Sequence, residues 1–356
     1  MPILLLLDGD GIGPEVNAQV RRLIGWAAGH GLTFESQHAR IGGAAIDAEG
    51  APVSDATVAL AAKADAILFG AVGGPKWEKL PRAQRPEQGL LRLRRELGLF
   101  ANLRPARVWP GLEDVSPLRP ERAGDTDLIF VRELTGGVYF GEPRGQSGTA
   151  PERRALDTQA YSEAEIARVA HAGFRLARGR RRHLTSVEKA NVMETGQLWR
   201  AVVTEVAASY PDVTLAHMFA DNCAFQLVRA PTQFDVILTD NLFGDLLSDL
   251  AGGVAGSLGL LPSAALGEGP EGRTPGLYEP VHGSAPDIAG TGRANPVAAI
   301  LSFAMALRHS LGAPALADAL EAATGRALAA GARTPDLGGT MTTAQVTDAV
   351  LAALAR

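Results

Sequence analysis

Short apolar runs alternate with longer alanine-rich segments of helical period from the first residues onward. ILLLL, EVNAQVRRLIGWAA, LTFESQHA, TVALAAKA and AILFGA follow one another in βαβα order. That alternation predicts an α/β protein with a mostly parallel sheet, helices on both faces, and ligands near the carboxyl ends of the strands. DLIFVREL, HLTSVEKA, TLAHMFA and FDVILTDNL continue the pattern, each an apolar strand ending in polar residues. Between 136 and 161 it lapses into a Gly- and Pro-rich stretch that reads as a hairpin or projecting arm.

The first strand breaks into DGDGIGPE, Asp8 to Glu15. Gly9, Gly11 and Gly13 fall at every second position, which fails the G-x-G-x-x-G spacing of a dinucleotide-binding turn, while Pro14 suits the first turn of a helix. The stretch reads as strand, turn and helix start, not as a standard Rossmann fingerprint. A dinucleotide phosphate site has to be sought elsewhere in the chain.

A length of 356 residues suggests two domains or one large one. The net charge of -5 disfavours a nucleic-acid partner, even though FRLARGRRRH packs five arginines into ten residues. That cluster reads as a solvated helix end. The lone cysteine, Cys223, permits no internal disulfide, and the opening MPILLLL is too short for a membrane span and lacks a basic flank. A cytoplasmic protein with no membrane partner is expected.

Chemistry concentrates in DNLFGDLLSDLAGG. On a helix, Asp245 and Asp249 stand four apart on one face, where like charges repel. The surrounding Leu242, Phe243, Leu246, Leu247 and Leu250 leave little polar face to solvate them, so the pair calls for a cation such as Mg²⁺ or Mn²⁺. Asp221, at another strand end in FADNCAF, is a candidate third ligand. A basic set accompanies them: Arg92, Arg94, Arg95 and Arg104, with Arg132 at the end of an apolar strand. Arginine's planar fork matches carboxylates. Glu87, Leu90, Leu91 and Arg94 fall at i, i+3, i+4 and i+7 of one helical stripe, and together these features point to a small polycarboxylate substrate.

Five motifs, GGPKW, RELTGGVYFGEPRG, EKANVMETGQLWR, DNLFGDLLSDLAGG and EPVHGSAPDIAGTGRANP, run collinearly over essentially the whole chain. In them the chain resembles the isocitrate/isopropylmalate dehydrogenase family of β-decarboxylating hydroxyacid dehydrogenases, and within it the 3-isopropylmalate dehydrogenases. Isocitrate, homoisocitrate and tartrate dehydrogenases are the alternatives. The resemblance implies a two-domain fold, with 1–99 and 256–356 on the cofactor side and 100–255 on the dimer side. It also implies NAD-dependent oxidative decarboxylation of (2R,3S)-3-isopropylmalate to 4-methyl-2-oxopentanoate and CO₂, a step of leucine biosynthesis. A carboxylate-binding protein without turnover would not need the set of site residues that follows.

By the resemblance, Arg94, Arg104 and Arg132 hold the substrate carboxylates. Asp221, Asp245 and Asp249 bind one Mg²⁺ or Mn²⁺ per site, and Tyr139 and Lys189 form the acid/base pair. Lys189 and Asp221 would reach into the neighbouring subunit's site, which requires a homodimer. Glu87, Leu90 and Leu91 would face the substrate, the leucines walling an isopropyl group. NAD would lie against the loop from Gly73 to Glu87, including Gly74, Pro75 and Glu87, beside Asn191, and along His282, Gly283, Ser284, Ala285, Pro286, Asp287, Ile288 and Asn295. The Asp287 carboxylate suits a ribose 2′-hydroxyl and opposes a 2′-phosphate, favouring NAD over NADP. Asn295 has a competing role as a loop cap. The stretch from Gly267 to Pro280 looks longer than the compact loop of the family.

Overall fold

The computed structural model describes residues 1–269 and 274–355, so part of the stretch from Gly267 to Pro280 lies outside the described residues, and its last five residues form a strand. Among these the strands are β1 (Ile3–Gly9), β2 (Glu35–Ala39), β3 (Ala66–Ala71), β4 (Ala101–Arg107), β5 (Asp127–Glu133), β6 (Gly145–Ser147), β7 (Arg154–Leu156), β8 (His183–Glu188), β9 (Thr214–Phe219), β10 (Val236–Thr239), β11 (Pro262–Leu266) and β12 (Gly276–Pro280). The chain forms two units: 1–99, 107–124 and 252–356 make the first, 100–106 and 125–251 the second.

In the first unit the strands lie in the order β2-β1-β3-β12-β11. All neighbours are parallel except the β11–β12 pair. Leu4 to Leu7 of β1 and all of β3 are buried, which is why these strands read as continuous apolar runs and not as alternations. The helix Gly13–Gly29 lays Val16, Val20, Leu23 and Ala27 along one buried ridge. In the helix Val297–His309 every residue from Val297 to Leu307 is buried, so its lack of amphipathic period marks an internal helix. Residues 107–124, grouped with 100–255 by the sequence, pack in the first unit. Trp109 and Leu112 belong to one core cluster with Leu260, Val297, Leu301, Leu328, Leu337 and Val346.

The second unit orders its strands β4-β5-β10-β8-β9, with β5, β10, β8 and β9 mutually parallel. A reciprocal cap starts its helix Glu163–Arg178: Ser162 accepts from the Glu165 N–H, and the Glu165 carboxylate accepts from the Ser162 N–H. The arginine cluster at the far end of this helix is ion-paired and not simply solvated. Arg178 binds Asp212, and Arg180 bridges Asp127 and the buried Asp235. The Gly- and Pro-rich stretch contains the exposed two-stranded antiparallel ribbon β6–β7. Among the described residues no helix is long and apolar enough to cross a membrane.

Candidate active site

The helix Asn241–Ala255 follows β10 across a single residue, Asp240, whose Oδ1 accepts the Phe243 N–H at 2.8 Å. One turn further on, Asp245 and Asp249 share a face, as their spacing requires, and the cation between them is a guanidinium. Nη1 of Arg104 lies 3.1 Å from Asp245 Oδ1 and 3.2 Å from Asp249 Oδ1, and also donates to Ser248 Oγ at 2.9 Å. Arg132 donates from Nη1 to the same Asp245 oxygen at 2.5 Å, while its Nε and Nη2 grip Asn241 Oδ1 at 3.0 and 2.7 Å. The Tyr139 hydroxyl donates to Asp245 Oδ2 at 2.5 Å. Burial, with this hydrogen bond, raises the tyrosine's pKa and keeps it a proton carrier. Leu247 is buried but Leu246 is 62 % exposed, so the leucines around the carboxylates are not all core.

Asp240 is 7 % exposed, and its burial outweighs the hydrogen bonds from Phe243 and the Gln159 amide, pushing its pKa up to about 6. The native state therefore holds this proton more tightly than the unfolded chain. Stability falls as pH rises from about 4 through about 6, by up to roughly 3 kcal/mol. Asp240→Asn is expected to abolish that loss, so its melting temperature should gain on the wild type between pH 4.5 and 7.5. Parallel curves for the two proteins would refute the assignment.

A second pair stands on other elements of the same unit. Lys189, just past β8, donates from Nζ to Asp221 Oδ1 at 2.7 Å, and this hydrogen bond lowers the pKa of the aspartate. Asp221 is the second residue of the helix Ala220–Arg229, with its side chain 70 % exposed. The structure does not bring it to Asp245 and Asp249: among the described residues no three His, Cys, Asp or Glu side chains gather where a metal could sit. Asp221, Phe225 and Val228 lie at i, i+4 and i+7 of one helical face, and both apolar members are exposed. Asn191, two residues beyond Lys189, is exposed.

In the first unit, the helix Glu87–Glu96 buries Gly89 and Leu93. Its core contact is thereby supplied, leaving Leu90 and Leu91 half-buried on the stripe with Glu87 and Arg94. Arg94 donates from Nη2 to Glu279 Oε1 at 2.5 Å, and its buried Nε has no partner. Glu279, at the end of β12, was passed over in the sequence although it opens the EPVHGSAPD motif. Arg92 is held by Asp55 and Glu96, both at 2.6 Å, and Arg95 is exposed.

The segment from His282 to Asn295 borders a cleft of about 350 Å³, lined by Ile12, His282, Ala285, Ile288, Asn295 and Asp336 among others. His282 Nδ1 lies 2.9 Å from the Gly283 carbonyl and donates to it, which leaves Nε2 a buried acceptor without a partner. Burial lowers the pKa of this histidine and favours the neutral ring that bonding pattern needs. Ala285 takes a positive φ of 38°. Ser284 is buried, whereas Gly283, Pro286 and Asp287 are exposed and Ile288 is half-buried. Asn295 is spent on local structure: Oδ1 accepts the Val297 N–H at 3.0 Å and Nδ2 donates to Asp336 at 3.0 Å. In the other segment, Gly74 and Pro75 lead into a short turn whose Lys76 and Trp77 both bind Asp47.

The family model "Isocitrate/isopropylmalate dehydrogenase" matches residues 3–350. The chain is 58 % identical over 360 residues to a 3-isopropylmalate dehydrogenase of Ruegeria pomeroyi, covering 99 % of this chain and 98 % of that one. It is 58 % identical over 356 residues to that of Caulobacter vibrioides, covering 99 % and 100 %. In structure it is similar to the isocitrate dehydrogenase from Methylococcus capsulatus, with a TM-score of 0.87 and 32 % identity over the full length of both chains. With its motifs, its α/β architecture and nearly all of its length matched, the chain belongs to the isocitrate/isopropylmalate dehydrogenase family.

Proposed function

We propose that this protein is an NAD-dependent 3-isopropylmalate dehydrogenase of leucine biosynthesis, active as a cytoplasmic homodimer. The observation that carries the choice of substrate is the half-buried Leu90–Leu91 pair beside Arg94, an apolar wall for an isopropyl group next to a carboxylate anchor. The near-full-length likeness to 3-isopropylmalate dehydrogenases supports the same choice.

The donor set fits a divalent cation. Asp245 and Asp249 already share one positive group, and with Asp221 of the partner subunit they would hold Mg²⁺ or Mn²⁺. Bound there, the ion supplies Lewis-acid stabilisation of oxygen charge at C2. His282 Nε2, a buried acceptor facing no donor, suits the amino group of an adenine. Arg94, Arg104 and Arg132 hold the carboxylates. With NAD bound as the hydride acceptor, Lys189 of the partner subunit would take the proton of the C2 hydroxyl, leaving a 2-oxo acid. The carboxylate β to that ketone leaves as CO₂ with its bonding electrons delocalised as an enolate, and Tyr139 returns a proton to the carbon. The reading of a shared site is supported by the exposed Phe225 and Val228 beside Asp221 and the exposed Leu246 beside Asp245. These apolar residues would be covered by a second copy.

NAD reduction measured with Mn²⁺ and 3-isopropylmalate, isocitrate, homoisocitrate or D-malate tests this function. Turnover of 3-isopropylmalate should exceed that of each of the others by at least about tenfold. A faster reaction with isocitrate would overturn the proposal. Asp287→Ala is expected to weaken NAD and raise the NADP/NAD ratio of kcat/KM by about tenfold, since it removes a ribose hydroxyl acceptor and a charge opposing the 2′-phosphate. An unchanged ratio would assign cofactor choice to another residue.

A further inference from the structure

DGDGIGPE holds none of the catalytic roles proposed above, yet two of its carboxylates, Asp10 and Glu15, reach far along the chain. Asp10 is 5 % exposed and accepts three backbone N–H groups: Gly43 at 2.8 Å and Gly73 at 2.9 Å on Oδ2, and Ala44 at 2.8 Å on Oδ1. Gly73 opens the GGPKW segment. Glu15, in the first turn of the helix Gly13–Gly29, accepts from the Gly290 N–H at 3.1 Å on Oε2. On Oε1 it accepts from the Ala294 N–H at 3.2 Å and the Thr343 hydroxyl at 2.6 Å. Between the two acids, the Ile12 N–H donates to the Ser284 carbonyl at 2.8 Å. Gly11, at φ +56°, passes so close that a Cβ would lie 2.0 Å from the same oxygen. An ionised carboxylate has two oxygens free to accept several bonds at once, which neither an amide nor a hydroxyl matches.

We propose that Asp10 and Glu15 are positioning residues for the cofactor. Asp10 fixes the start of the Gly73–Pro75 segment, and Glu15 fixes Gly290 and Ala294, so that NAD meets two loops already set in place. The inference rests on reading these two segments as the NAD site. It differs from the ordinary role of an acid in a first helical turn, which is to favour the helix dipole. Such a role would change stability and leave cofactor affinity alone.

The test combines hydrogen exchange at single amides with calorimetric titration of NADH into the free protein. Glu15→Gln leaves one accepting oxygen and Glu15→Ala none. Both should speed exchange at Gly290 and Ala294 and leave Gly73 unchanged, while Asp10→Asn should do the reverse. Each should weaken NADH binding by roughly tenfold, Glu15→Ala more than Glu15→Gln, with the KM for 3-isopropylmalate changed by less than about twofold. Folded Glu15 variants that bind NADH as the wild type does would overturn the proposal, whether or not Asp10→Asn folds. Wild-type protein that failed to bind NADH would instead sink the cofactor reading, and exchange at Gly290 and Ala294 would still decide whether Glu15 holds that loop.

Discussion

Lys189→Ala is expected to lower kcat by about 10² to 10⁴-fold, the usual worth of a positioned general base, and Tyr139→Phe to do the same through loss of the general acid. The two defects should complement each other. If Lys189 serves the partner's site while Tyr139 serves its own, a heterodimer of the two variants has one site with both groups intact and one with neither. Equal mixing makes half of the dimers heterodimers, so activity should return to about a quarter of the wild-type level. The Tyr139 hydroxyl is held to Asp245 and Lys189 Nζ to Asp221, so each variant also loses a partner for a carboxylate. The mixture and the separate variants should therefore be compared at saturating Mn²⁺. No recovery, with subunit exchange verified by mass spectrometry, would mean that each subunit completes its own site.

Leu90→Ser combined with Leu91→Ser is expected to cut kcat/KM for 3-isopropylmalate by about tenfold to hundredfold, with a far smaller effect on D-malate, which lacks the isopropyl group. The helix keeps its core contacts through Gly89 and Leu93, so the double variant should stay folded. Placing a carboxylate of isocitrate against the unaltered leucines would strand it without a donor, at a desolvation penalty of roughly 1 to 3 kcal/mol. Equal losses on both substrates would show that the leucines serve the helix and not the ligand.

Strands buried on both faces were the most legible part of the fold, because ILLLL and AILFGA carry their own signal in unbroken apolar runs. The antiparallel β11–β12 pair was not, since PSAAL and GLYEP are five-residue segments without β-branching, each with a proline at one end. The helix Val297–His309 has no polar stripe from which to read a period. At the candidate site, helical spacing located Asp245, Asp249 and the stripe on Glu87–Glu96. Lys189 and Tyr139 came from resemblance alone, because a single residue at a strand end or in a glycine turn has no periodicity. The reach of Asp10 and Glu15 was invisible for a related reason: all but one of their partners described above are backbone N–H groups far along the chain, which no side-chain pattern announces.

The discontinuity of the first unit sets the order in which a ribosome can finish this protein. Residues 125–251 emerge as one stretch and can complete most of the second unit's sheet while synthesis continues. β3, all six of its residues apolar or small and buried, has β1 on one side, but its other neighbour is β12, which begins only at Gly276. Until then the nascent chain carries an open, uncharged β edge beside a layer whose covering helix, Val297–His309, has not been made. That interval is when aggregation competes with folding, and it makes the first unit, though it holds the N-terminus, the last to be born.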